Sequence, residues 1–193
     1  NTIDQTSIIY SVGVGSEITF DLSLIARYGV TVHAFDPTPR SIAWIEKQAL
    51  PDKFMFHSIG VADYDGEALF HPPQNPTFVS YSLVSEKIIK SGSDTVSAPV
   101  HAPVYRLSSI MEQLRHPKID LLKLDIEGAE YSVIEDLLDQ SLPVNQILIE
   151  FHHRFSSIGV GKTREAIHLL NEAGYRIFHV SDLGEEYSFL KSS

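Results

Sequence analysis

Short apolar runs alternate with stretches of helical apolar spacing along most of this chain, and few architectures accept that rhythm. Near-continuous apolar runs read as strands buried on both faces, and the helices between them supply the crossovers that parallel pairing requires. Ile8 to Val12 reads as a first strand that stops at Gly13. From Glu17 to Tyr28 the spacing is helical, with Ile18, Leu22, Ile25 and Ala26 on one face and Gly29 where a left-handed cap belongs. Val30 to Phe35 is a second strand ending at Asp36, and Thr38-Pro39 opens a helix through about Gln48. Phe54 to Ser58, Ile119 to Leu124 and Gln146 to Glu150 complete five strands. Helices are expected at Leu107 to Leu114, Ala129 to Gln140 and Thr163 to Ala173, and Tyr175 to Val180 with Tyr187 to Leu190 as a closing hairpin. Between them, residues 61–105 lose the rhythm and read as a proline-rich insertion of short strands and loops, with a mobile stretch near Ser91 to Asp94. The expectation is one doubly wound α/β domain over residues 1–193, with about seven strands and five helices.

Composition narrows the function classes. A chain of 193 residues suits a single core, and without cysteine it has no disulfide, zinc–thiolate site, iron–sulfur cluster or cysteine nucleophile. That fits a reducing compartment, and a cytoplasmic location is expected. The formal net charge of −10, with no basic run denser than Lys87 to Lys90, argues against nucleic acid as a partner. No apolar run approaches the ~18 residues of a membrane span, and no signal peptide is recognisable. Residue 1 is Asn, so a trimmed, processed or excised chain is expected.

In an open parallel sheet, ligands bind beyond the carboxyl ends of the strands, where strand order reverses. Three clusters fall on that edge. Gly13-Val14-Gly15-Ser16-Glu17 follows the first strand and leads into a helix, so bare backbone and helix amides face one space. Asp36 ends the second strand, where an acid can accept both hydroxyl protons of an adenosine ribose. Lys123 to Glu130 turns from the fourth strand into a helix; Asp125 is the candidate that projects toward a reacting centre, whereas Glu130 belongs to the first helical turn. Glu150-Phe151-His152-His153 follows the fifth, with His152 the candidate general base. Asp125, Glu150 and His152 could gather a divalent ion, but on separate strands they form no metal-spacing motif, so metal dependence stays open and no metal is assigned.

Taken together these clusters resemble the FkbM family of S-adenosylmethionine-dependent methyltransferases, from about Ile8 to Val180. Asp120-Leu121-Leu122-Lys123-Leu124-Asp125-Ile126-Glu127-Gly128-Ala129-Glu130 looks like the family's D-x-L-K-x-D-x-E-G-x-E signature without a break. Phe35 to Pro39 is similar to its F-E-P-N-P segment, Ile59 to Glu67 to the stretch after its third strand, and Glu150-Phe151-His152 to its E-x-H ending. The resemblance implies a class I methyltransferase fold, a Rossmann-like three-layer sandwich whose seven-stranded sheet is mostly parallel with an antiparallel last strand. It implies methyl transfer from S-adenosyl-L-methionine to a hydroxyl of a small molecule or glycan. By position, Gly13, Val14 and Gly15 would face the methionine part of the cofactor, Asp36 and Pro37 the ribose, and Ser58, Ile59, Gly60 and Val61 the adenine. Asp125 would sit near the sulfonium, with Glu150 and His152 near the acceptor. Independently of the resemblance, Phe70, Phe78 and Tyr81 of the insertion are placed either to line the acceptor pocket or to pack the insertion itself. The first loop departs from the family, having Ser11-Val12 before Gly13 and Ser16-Glu17 after Gly15, which leaves the anchor for the cofactor's amino group unassigned, with Glu17 a candidate substitute.

Three other readings compete. A catalytically silent cofactor-binding relative would share every feature above. A nicotinamide-dependent oxidoreductase requires a third glycine where this chain has Ile18. A phosphate-binding loop at Gly159-Val160-Gly161-Lys162-Thr163 lacks the glycine required at Ser156, and Lys162 reads instead as part of a helix-entry loop.

Overall fold

The computed structural model describes residues 3–71 and 99–192. The chain runs β1 (Ile8–Val12), α1 (Thr19–Tyr28), β2 (Thr31–Phe35), α2 (Pro39–Ile45), β3 (Phe54–His57), β4 (Gly60–Val61), β5 (Gly66–Phe70), β6 (Val100–Tyr105), α3 (Leu107–Leu114), β7 (Ile119–Leu124), α4 (Glu130–Asp139), β8 (Val144–Glu150), α5 (Gly159–Glu172), β9 (Tyr175–Val180) and β10 (Glu186–Lys191). Seven strands form one sheet in the order β3-β2-β1-β7-β8-β10-β9. Every pairing from β3 to β8 is parallel, and β10 runs antiparallel to both β8 and β9. This is the class I methyltransferase arrangement, and the closing hairpin is the last two strands of the sheet.

Strand order reverses between β1 and β7, so the switch point lies where Val12 pairs with Leu124 and the chain leaves both strands. The apolar runs are buried on both faces: Ile9, Tyr10, Leu122 and Leu124 are fully enclosed, as are Val32 and Phe35. One side packs α3, α4 and α5 against Leu122, Ile147 and Phe189, and the other packs α1 against Ile9, Val30 and Val32.

Element ends differ from the sequence expectations for identifiable reasons. α1 starts at Thr19, and its inward residues are Asp21 and Leu24, so Ala26, expected on the buried face, is exposed. α2 begins at Pro39 with Thr38 as its cap but ends at Ile45, where Glu46 leads into a turn. α5 starts at Gly159, four residues early. The described part of the insertion forms a three-stranded sheet, β4-β6-β5, with β4 parallel and β5 antiparallel to β6, closed over Ala62, Ala68, Phe70, Ala102 and Val104. Phe78, Tyr81 and the stretch Ser91 to Asp94 lie outside the described residues.

Candidate active site

The turn after β1 is built on a contact that excludes any side chain. Gly13 has φ +83°, and a Cβ there would lie 1.6 Å from the carbonyl oxygen of Asp125. Two backbone bonds hold this junction: Gly13 N–H donates to Phe35 O at 3.0 Å, and Asp125 N–H donates to Val12 O at 3.1 Å. The loops after β1, β2 and β7 are therefore clamped together at the switch point.

Asp36 joins the next two pieces. Its Oδ2 accepts from the Gly15 amide at 2.9 Å, while Oδ1 accepts from the Thr38 amide at 2.9 Å and the Thr38 hydroxyl at 2.7 Å. The residue is only 6% exposed, yet an ionised carboxylate offers about four acceptor positions, so one stays available beside the cleft. On the insertion side, a Cβ at Gly60 would meet Val104, Phe70 and Pro37 at 3.0–3.2 Å, so this glycine lets the small sheet close against the loop after β2.

These pieces enclose a cleft of about 200 Å³. Gly13, Val14, Gly15, Glu17, Asp36, Pro37, Gly60, Val61 and Asp125, all expected in the site, line it, and so does Phe70. Two expected residues do not: Ser58 is exposed and Ile59 packs on the core, because β3 ends at His57 and the chain turns before Gly60. Glu127 and Ile126 line the cleft without having been singled out. Among the described residues that line it none is Lys or Arg, whereas four are acids. Such a wall suits a ligand carrying positive charge and opposes a pyrophosphate.

A second cluster adjoins the cleft through Asp125 and Glu127. His152 is fully buried and presents Nδ1 to Glu130 Oε1 at 2.7 Å. Its Nε2 faces three further carboxylates: Glu127 at 3.4 Å, and Asp125 and Glu150 each at 3.8 Å. Glu130, itself 0% exposed, also accepts from the Ile126 amide at 2.9 Å and the Gly128 amide at 3.0 Å. That grip holds Glu127 at φ +52°, a left-handed conformation few non-glycine residues adopt, and turns its side chain toward His152. Glu130 thus occupies the first turn of α4 as expected, and its partner across the fold is what the linear sequence hides.

Electrostatics follow from this crowding. Burial opposes charge on His152, but the Glu130 hydrogen bond and the Glu130, Glu127 and Asp125 charges outweigh it and hold the imidazole above its ordinary pKa. Burial and then the Asp125 charge push Glu150 above the usual carboxylate range, against His152 and Arg154. Lys123 reaches Asp125 at 3.6 Å, and Arg154 reaches Glu150 at 3.4 Å. Asp21, another residue missed in the sequence, is buried under the first loop with its pKa raised by desolvation, which Ser11 and Lys123 partly offset.

The Gly159-to-Thr163 segment is no phosphate loop. It forms the first turns of α5, with Thr163 buried and bonded to the Tyr131 hydroxyl at 3.0 Å. Lys162 is exposed on that helix and does not line the cleft.

Comparison with known proteins agrees with this geometry. The family model of the methyltransferase FkbM domain matches residues 11–177. Probable methyltransferase-like protein 24 of Homo sapiens is 28% identical over 95% of this chain, and its Rattus norvegicus counterpart likewise. The chain spans a little under half of those relatives, 45% and 46% of their lengths. Among solved structures, methyltransferase FkbM from Methylobacillus flagellatus aligns with TM-score 0.57 at 14% identity, over 98% of this chain and 44% of its own. A fibrillarin pre-rRNA processing protein of Methanococcus jannaschii aligns with TM-score 0.53 at 13% identity, over 98% and 68%. At such identities these two speak for the fold.

Proposed function

Since the chain belongs to the FkbM methyltransferase family, whose methyl donor is S-adenosyl-L-methionine, we propose that it methylates a hydroxyl oxygen of a small molecule or glycan. The observation that carries this reading is the cleft at the switch point, whose described lining holds four acids, with Gly13 clamped on Asp125 and Gly15 on Asp36. The residues present fit the cofactor: Asp36 keeps an acceptor position for a ribose hydroxyl, and Pro37, Val61 and Phe70 offer apolar surface for a purine. Asp125 and Glu127 supply negative charge for a sulfonium, and Glu17 remains the proposed partner of its ammonium group. When bound, the cofactor supplies a methyl group already activated on cationic sulfur, so the protein's task is alignment and proton removal.

Asp125, Glu150 and His152 form the proposed catalytic group. Asp125 and Glu150 keep about 30% of their side chains exposed and can meet an acceptor hydroxyl. His152 is enclosed, so it serves that pair from behind, with Glu130 fixing its ring. Glu150, its pKa raised by burial and by Asp125, lies nearer the range of a working base than an ordinary carboxylate does.

Calorimetry with S-adenosylmethionine, NAD and ATP tests the binding half of this reading, and transfer of labelled methyl to hydroxylated acceptors tests the other half. Preference for NAD or ATP would overturn the assignment. Cofactor binding with no transfer to any acceptor would favour a silent relative.

A further inference from the structure

We propose that Asp125, Glu150 and His152 bind a divalent metal ion at the rim of the cleft, with His152 contributing Nε2. Three observations converge on one point. One ligand atom from each residue lies within 4.8 Å of the other two. Two ligands held ~2.1 Å from one octahedral centre are ~3 Å apart when adjacent and ~4.2 Å apart when opposite. The His152 separations, 3.8 Å to Asp125 and 3.8 Å to Glu150, fall inside that interval, as does the 3.4 Å to Glu127.

The second observation is His152 itself. Its ring is 0% exposed, and Nε2 is a buried atom without a hydrogen-bond partner, aimed into three carboxylates. A buried polar atom left in that state costs about 1–3 kcal/mol, and it persists when something else meets it. The third is the other side of the ring. Nδ1 is bonded to Glu130 at 2.7 Å, so the ring presents Nε2 to the three carboxylates, where an ion would take its lone pair in place of a proton. A histidine tied to a carboxylate on one nitrogen and offering the other is the arrangement that orients imidazole toward metals.

One imidazole nitrogen with carboxylate oxygens suits an ion that accepts both donor types, Mn²⁺ before Mg²⁺. Three protein ligands leave coordination positions open, and Asp125 is shared with the cleft, so the ion would sit beside the place proposed for the cofactor. A hydroxyl or vicinal diol oxygen taking an open position would be polarised there and would pass its proton to the Glu150 carboxylate oxygen that does not hold the ion. This role rests on the methyltransferase reading; the ion site itself does not.

The experiment uses EDTA-stripped protein titrated with MnCl₂, free Mn²⁺ being read by electron paramagnetic resonance. S-adenosylhomocysteine binding is measured on the same samples. Expected is one Mn²⁺ per chain, with affinity falling about tenfold or more in Glu150→Gln and in Asp125→Asn, and unchanged in Glu165→Gln on the exposed face of α5. Glu150 is part exposed, so its variant keeps the fold even if a His152 variant does not. No Mn²⁺ binding, or binding indifferent to Glu150→Gln, overturns the site. Mn²⁺ binding with no S-adenosylhomocysteine binding keeps the ion site and removes the methyltransferase reading. The converse keeps the methyltransferase reading alone.

Discussion

Replacing Gly13 with Ala isolates the contact on which the switch point is built. The new Cβ would sit 1.6 Å from Asp125 O, and ordinary contact begins at 3.4 Å. The end of β1 and the loop after β7 must therefore separate by roughly 2 Å, more than a close-packed interior yields without rearrangement. Holding φ at +83° costs an L-residue ~1–2 kcal/mol. Separation also breaks or stretches the Gly13–Phe35 and Asp125–Val12 backbone bonds, worth ~0.5–1.5 kcal/mol each. The total is about 2–5 kcal/mol, a large share of the 5–15 kcal/mol that stabilises a typical domain. Urea unfolding followed by circular dichroism reads this directly, and cofactor titration of the folded fraction should show weakened binding. Two further glycines separate the causes. Gly159 has φ +73° but open space around its Cβ, so Gly159→Ala should cost only the ~1–2 kcal/mol of backbone strain. Gly161 has neither problem, and Gly161→Ala should be neutral or stabilising by up to ~1 kcal/mol. If Gly13→Ala proves no costlier than Gly159→Ala, the clash with Asp125 is not what this glycine avoids, and the argument for a clamped switch point fails.

Asp36→Ala should weaken S-adenosylmethionine binding by ~1.5–3 kcal/mol, and should also lower stability because the Gly15 and Thr38 amides lose their acceptor; an unchanged dissociation constant in a folded variant removes Asp36 from the site. Glu130→Leu should cost about 3–5 kcal/mol in chemical unfolding, since the Ile126 and Gly128 amides and His152 Nδ1 are left buried and unmet; a cost below ~1 kcal/mol would show that the bonds to Glu130 are dispensable. Stability should also fall in acid through the cluster of His33, His57 and His116. Burial, then repulsion from His116 and His57, holds His33 down at about 4, and burial lowers His57 and His116 as well. Because the unfolded chain binds these protons near pH 6.5, stability is complete above that value and is lost as pH drops toward 4. The full His33 shift corresponds to ~3 kcal/mol, and its partial exposure reduces that to about 1–2 kcal/mol. Unfolding midpoints at pH 7 and 5 should differ less in His33→Gln than in the parent, and equal differences would refute the assignment.

Local chemistry determined much of this protein. Thr38-Pro39 starts α2 and Gly29 closes α1 because caps and φ preferences act within a few residues. The apolar runs specify strands buried on both faces, and their ends, from Gly13 to Asp36 to Asp125, were legible as one ligand-facing edge. What tertiary structure decided is who meets whom across that edge. Glu130 looked like a helix-capping acid until α4 packed beside β8 and set it 2.7 Å from His152. Glu127 turns inward only because two amides of its own loop are gripped by Glu130, and Ser58 drops out only because β3 stops one residue earlier. Period and propensity act over one or two helical turns. The electrostatic crowding around His152 comes from residues up to 27 positions apart, brought within 4 Å only once the sheet has formed.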